Sequence, residues 1–351
     1  MGLLKRWGWA WLLAAAMPLP GNGTSEAGER GVIGLSLPSR REDRWRRDLG
    51  VMVQEARNRG FLLKHRMANN DQEEQNRQVE ELLDEGIDVL MLTAHDTGAV
   101  AGLIGKVRER GVKVLVYDRI VNDCEYELYM GFDSVKVGVL QGEWITKKVP
   151  RGRYVVMSGA PTDDNAALFR SGVDQILKPF IERGDIKVVM DRAVTDWDPA
   201  VAERIVGEAL SLDGGGIDAI VAPNDGTAGG AIAALAARGL AGKIPVTGHD
   251  GDAKAAERVV AGTQGMTVLK DTRLLGRESL RLAVRMARGA SLEGVPGIRM
   301  HPNGKTSVPM VLIKPMLVDA DNVQKELYDS GYLSTEQTAI VEVEDKLDAN
   351  P

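Results

Sequence analysis

The residues best placed to do chemistry in this chain stand where apolar runs stop. Val112-Lys113-Val114-Leu115-Val116-Tyr117 ends abruptly at Asp118-Arg119, an acid beside a base. Ala219-Ile220-Val221-Ala222-Pro223 ends at Asn224-Asp225, and Pro245-Val246-Thr247-Gly248 ends at His249-Asp250. Short β-branched runs of this kind read as buried strands. In an open α/β sheet, ligands bind outside the carboxyl ends of the strands. A carboxylate accepts hydrogen bonds and a guanidinium donates a fork of them, so the pair can grip neighbouring hydroxyls of a polyol. One such strand end can equally cap a helix or make a turn. Three of them point to a site assembled between two lobes.

The elements that would position these groups alternate strictly. Residues 31–37 form a strand, Trp45, Leu49, Met52, Val53 and Ala56 recur at helical spacing, and Gly60 closes that helix. Strand, helix, strand and helix follow to residue 111, and then comes the run ending at Asp118. After Phe132-Asp133 the alternation starts again and continues to about residue 288. Continuous apolar strands alternating with helices imply parallel sheets covered on both faces. The fold class expected is α/β, with two doubly wound parallel-sheet lobes. The repeat is one of architecture, since no residue-level period is visible.

Composition narrows the function. The chain has 351 residues, 44% hydrophobic and 27% charged, long enough for two domains. A net charge of −6 argues against nucleic acid, whose binders carry a basic face. One cysteine, Cys124, allows no intrachain disulfide, and the four histidines have no metal-ligand spacing. There is no GxxxxGK[ST] loop and no GxSxG elbow. Neither a catalytic residue, a metal nor a cofactor is expected, so the protein is not read as an enzyme. At the start, Lys5 and Arg6 precede an apolar run over residues 7–18, too short to span a bilayer. Residues 1–27 are therefore expected to be a signal peptide cut after Ala27, leaving an exported, periplasmic, soluble chain.

In order, Asp43-Arg44-Trp45, Val116-Tyr117-Asp118-Arg119, Asp164-Asn165-Ala166, Asp196-Trp197, Asn224-Asp225-Gly226-Thr227 and Ala261-Gly262-Thr263-Gln264 make the chain resemble a known family. It is similar to periplasmic sugar-binding proteins of the ribose/galactose/xylose type, above all the D-xylose-binding branch that serves ABC importers. The resemblance covers about residues 31–332. It implies a three-crossing hinge, capture of a monosaccharide such as D-xylose in the cleft, and delivery to an ABC permease. It also implies an N-terminal lobe of 31–132 plus 271–306 and a C-terminal lobe of 133–270 plus 307–335, while the acidic composition of 336–351 makes that end an expected disordered tail. The partners expected are the sugar, permease membrane subunits and, as an alternative, a chemoreceptor or sensor kinase; no nucleic acid is expected, and the protein should be a monomer.

Nine residues carry the expected ligand site. Arg44 is read as a polar contact, and Trp45 either stacks on a sugar ring or fills the core beside Leu49. Asp118 and Arg119 grip hydroxyls. Asn165 starts a helix and either caps it or faces the ligand. Trp197 lies in a short loop with little core to fill, which favours stacking. Asn224 and Asp250 finish strands of the second lobe. Lys270 follows the last strand before a crossing, where a cation can reach the cleft. Two other functions compete. A dinucleotide-dependent enzyme would need glycines where Leu35-Ser36-Leu37-Pro38-Ser39-Arg40 stands, and a sugar-responsive repressor would need an N-terminal helix-turn-helix.

Overall fold

The computed structural model describes residues 31–212, 216–304 and 306–333. The expected signal peptide and acidic tail lie outside them. The first lobe is built on a seven-stranded sheet. Its strands are β1 (Val32–Leu37), β2 (Leu62–Met67), β3 (Val89–Leu92), β4 (Lys113–Tyr117), β5 (Leu128–Phe132), β10 (Arg299–Asn303) and β11 (Thr306–Ile313). Their order is β10-β11-β5-β4-β3-β1-β2, parallel throughout except for the β10–β11 hairpin.

Successive residues of one strand serve opposite faces, as the pleat demands. Val89 and Met91 of β3 pack under α1 (Asp43–Arg59) and α9 (Thr272–Ala287) with Trp45, Leu49, Leu275 and Ala283. Leu90 and Leu92 pack on the other side, against α2 (Gln72–Asp84) and α3 (Ala101–Glu109) with Val79, Leu82, Ile104 and Val107. Each fully buried Leu, Ile or Val stabilises the fold by roughly 1.5–3 kcal/mol before entropy is counted. That is why both faces had to read as continuous apolar runs.

The second lobe repeats the scheme. Strands β6 (Gly152–Ser158), β7 (Ile186–Ala193) and β8 (Ala219–Val221) form a parallel sheet in the order β7-β6-β8. Strands β9 (Met266–Leu269) and β12 (Met316–Asp319) pair antiparallel. The segment 245–248 joins the two pieces, hydrogen bonding through Ile220 on one side and through Gly265 and Val268 on the other. Helices α4 (Ser134–Lys148) and α5 (Asp164–Glu182) cover one face. Helices α6 (Pro199–Ala209) and α7 (Asp225–Ala236) cover the other, and α8 (Ala253–Val260) flanks β9.

Helices α4 and α5 approach backbone to backbone. A Cβ on Gly138 would lie 1.9 Å from the Phe169 carbonyl oxygen, and one on Gly172 would lie 2.1 Å from that of Val135. Only glycine fits at either place, and the contact sets where the start of α5 points.

One expected boundary is corrected. Residues 307–313 were assigned to the second lobe, but β11 runs parallel to β5 in the first sheet. The third crossing therefore falls at Lys314-Pro315, between β11 and β12. The hairpin partner β10 and the first half of β11 contain Pro302 and Pro309, which argue against a ladder because proline lacks the N–H a ladder uses.

Candidate functional site

The carboxyl ends of the two sheets face each other, and all nine expected residues line one cavity there. Glu42, Asp163, Phe169 and His249 line it as well.

From the first lobe, β4 delivers Asp118 and Arg119. Asp118 adopts a left-handed φ of 60°, and its N–H donates to the Met130 carbonyl at 2.7 Å. A non-glycine residue held there is a position over-determined by its surroundings. Arg119 donates to the carbonyls of Ala94 (3.0 Å) and His95 (3.2 Å) and pairs with Asp163 at 2.9 Å. Arg44, in the first turn of α1, lies over the Trp45 ring at 4.2 Å. Trp45, only 2% exposed, belongs to the core and to the cavity wall at once, so the two alternatives for it coexist.

From the second lobe, Asn165 opens α5 without capping it. Asp163 is the cap, accepting the Asn165 N–H at 2.9 Å, while Asn165 Nδ2 donates across to the Asp118 carbonyl at 2.7 Å. Asn224 is a true cap, its Oδ1 accepting from Thr227 N at 2.9 Å within a capping box. Asp250 follows the short segment 245–248 with φ 112°. Asp225, though adjacent to Asn224, lines no part of this cavity. It is buried and accepts from Gly251 N, Asp252 N, Thr267 Oγ1 and Gln264 Nε2, which holds the turn that carries Asp250. Lys270 is 3% exposed and lines the cavity, where it was expected to reach.

These groups form one electrostatic cluster across the lobes. Arg44 reaches Asp118 at 2.8 Å and Asp250 at 3.3 Å, and Lys270 reaches the same two carboxylates at 3.3 and 3.5 Å. Burial opposes ionisation of Asp118, but Arg44, then Lys270, overcome it and hold the carboxyl well below the usual range. Asp250 is likewise held low, burial being outweighed by the cations Lys270 and Arg44. Burial pushes the His249 imidazole down to about 3, Asp250 pulling it up and Lys270 and Arg44 pressing it down. His249 is thus neutral near pH 7. Desolvation raises Asp48, behind Arg44, to about 6.

Rings close the far side. Phe169, Trp197 and His249 touch one another, with centroids 6.3, 4.5 and 6.1 Å apart. A Cβ on Gly159 would lie 2.1 Å from the Trp197 ring, so bare backbone is what lets the indole seat there. Such a pocket, with rings for walls and a few fixed polar groups, binds and orients a small molecule. Among the described residues no cluster of three or more His, Cys, Asp or Glu could hold a metal, and no helix is long and apolar enough to cross a membrane.

Among the residues that sequence reasoning missed, Phe169 stood one helical turn after Asn165 and was findable from that spacing. His249 and Asp163 adjoin residues already singled out, whereas Glu42 carried no signal of its own.

Comparison with known proteins agrees with this geometry. Residues 33–291 match the periplasmic binding protein domain model. The D-xylose-binding periplasmic protein of Escherichia coli K12 is 37% identical over 300 residues, covering 86% of this chain and 90% of that one. That of Haemophilus influenzae is 38% identical, covering 87% and 91%. A multiple sugar-binding periplasmic protein of Azospirillum brasilense is 32% identical, covering 93% and 96%. A solved ABC transporter solute-binding protein of Clostridium phytofermentans, with bound β-D-glucose, superposes with a TM-score of 0.80 at 26% identity, over 88% of this chain and 99% of that one. These relatives are named as binding proteins, and their sequence and fold both run through the cleft: the chain belongs to the periplasmic binding protein family.

Proposed function

We propose that this protein captures a monosaccharide, D-xylose first, in the interlobe cavity and delivers it unchanged to an ABC permease. One observation carries the reading. Residues lining the cavity keep buried polar atoms that no protein group satisfies: Glu42 Oε2, Asn165 Oδ1, Trp197 Nε1 and His249 Nδ1. A buried polar atom left unpaired costs about 1–3 kcal/mol. A compact polyol offers donors and acceptors on every edge and a C–H face for the rings, and it supplies all of these at once. The groups that would meet it are Asp118, Arg119 and Arg44 from the first lobe, and Asn165, Asn224, Asp250 and Lys270 from the second. Trp45 and Trp197 stack on its faces.

Xylose is favoured by relatives at 37 and 38% identity that are named for it. A broader monosaccharide range is the second reading, favoured by the multiple sugar-binding relatives at 31 and 32%. Export rests on the charged-then-apolar start of the chain and on the periplasmic names of these relatives. N-terminal sequencing of the exported protein should begin near Gly28, and a full-length chain retained in the cytoplasm would remove that part of the reading. Calorimetric titration with a panel of pentoses and hexoses tests the binding. The expected result is reversible 1:1 binding of xylose, recovered chemically unaltered. Tighter binding of nucleotides than of any sugar would overturn it.

A further inference from the structure

The cavity is not the end of the cleft. A wider chamber opens beside it. Glu42, Trp197 and Asn224 line both, so the two share a wall. Beyond that wall the first lobe contributes Arg41, and the second contributes the start of α7 together with Asp252, Lys254 and Arg258.

The shared wall is held in a costly conformation. Asp196 and Trp197 have φ of 54° and 55°, a left-handed pair that a bulky aromatic rarely adopts. Arg41 reaches across the lobes and donates to the Asp196 carbonyl, tying this turn to the first lobe. The Trp197 indole therefore stands between the two chambers, with its N–H unpartnered.

The helix side of the outer chamber is bare. A Cβ on Gly226 would meet nothing closer than 3.7 Å, and one on Gly229 would meet only the Arg258 guanidinium at 3.3 Å. Packing does not demand glycine at either place, and glycine weakens a helix. What these two glycines do is keep the chamber open beside the donors of Lys254 and Arg258.

We propose that the outer chamber is a second carbohydrate subsite. It takes the substituent of a ligand whose first pyranose lies in the inner cavity, so the protein binds β-1,4-linked xylobiose and simple xylosides as well as the free sugar. This rests on the sugar reading above. The second ring packs on the outer side of Trp197, and its hydroxyls meet Arg41, Lys254 and Arg258.

Calorimetry of the full exported chain with xylose, 1,4-β-xylobiose and 4-nitrophenyl β-D-xylopyranoside tests the proposal. Xylobiose or the aryl xyloside should bind within tenfold of xylose. Gly226→Leu should weaken that binding at least tenfold and change xylose affinity less than twofold. Lys254→Trp, which fills the chamber from α8, provides an independent check should Gly226→Leu fold poorly. If xylose binds but both extended ligands are more than tenfold weaker, the subsite does not exist and the sugar reading survives. Extended ligands that bind equally well to both filled variants also overturn it. If neither xylose nor the extended ligands bind, both readings fall.

Discussion

The two lobes meet the cavity with different chemistry. The first offers fixed charge: Asp118, Arg119 and Arg44, locked by backbone carbonyls and by one another. The second offers a cluster of touching rings, Phe169, Trp197 and His249, with the amides of Asn165 and Asn224. Asp163, Asp250 and Lys270 bring into the second lobe's share the same ionic language, and they do so by pairing with the first lobe's groups. The difference suggests a division of labour. Charge supplies affinity and couples closure to binding, and the rings decide which sugar outline fits.

The strongest way to break this comparison is to remove charge from either side. Asp118→Ala and Asp250→Ala each leave Arg44 and Lys270 buried with one carboxylate fewer, and each strips hydroxyls of a charge-assisted partner. Either substitution should weaken xylose binding at least tenfold in a calorimetric titration, about 1.4 kcal/mol or more. Unchanged affinity in both would place the site elsewhere. Removing a ring should do less to affinity and more to selectivity. Trp197→Ala should weaken xylose several-fold and narrow the gap between xylose and glucose. An unchanged ratio between the two sugars would deny the rings their role.

Acidity sharpens the comparison, because the lobes titrate in opposite senses. His249 has its folded value depressed to about 3, so between there and its ordinary value near 6.5 the unfolded chain binds more protons. Stability from this group therefore rises with pH across that window. Asp48 has its folded value raised to about 6, so between about pH 4 and 6 the native state binds more protons. Its contribution falls as pH rises, by at most about 3 kcal/mol. Denaturant unfolding at pH 4.5 and 7 should show His249→Gln losing stability on alkalinisation relative to the parent. Asp48→Asn should show the smaller, opposite change. Parallel profiles for the parent and both variants would contradict these assignments. Xylose affinity itself should stay flat from about pH 7 to 8, since Asp118 and Asp250 are both held ionised.

Much of this was legible because a parallel sheet advertises itself. Apolar runs that stop at polar pairs mark strand ends, and strand ends in such folds converge, so nine residues from seven places in the chain arrive at one cavity. What stayed hidden depends on tertiary context. Glu42 sits in a loop with nothing to distinguish it from a solvated acid. Asn165 was read as a possible cap, but Asp163 takes that place and leaves the Asn165 amide to cross the cleft. Strand β10 and the start of β11 were hidden by Pro302 and Pro309, and with them the position of the third crossing. Lys270 is the opposite case: its place after the last strand before a crossing marked it for the cleft, and two buried carboxylates stand beside it.

The central claim is that one sugar is held by both lobes at once. A ligand that contacts both must favour the closed form, and only by as much as it binds that form better. Small-angle scattering with and without saturating xylose measures this directly. The account predicts a smaller radius of gyration on adding xylose. An unchanged radius, in a sample shown to bind xylose, would contradict it and confine the site to a single lobe.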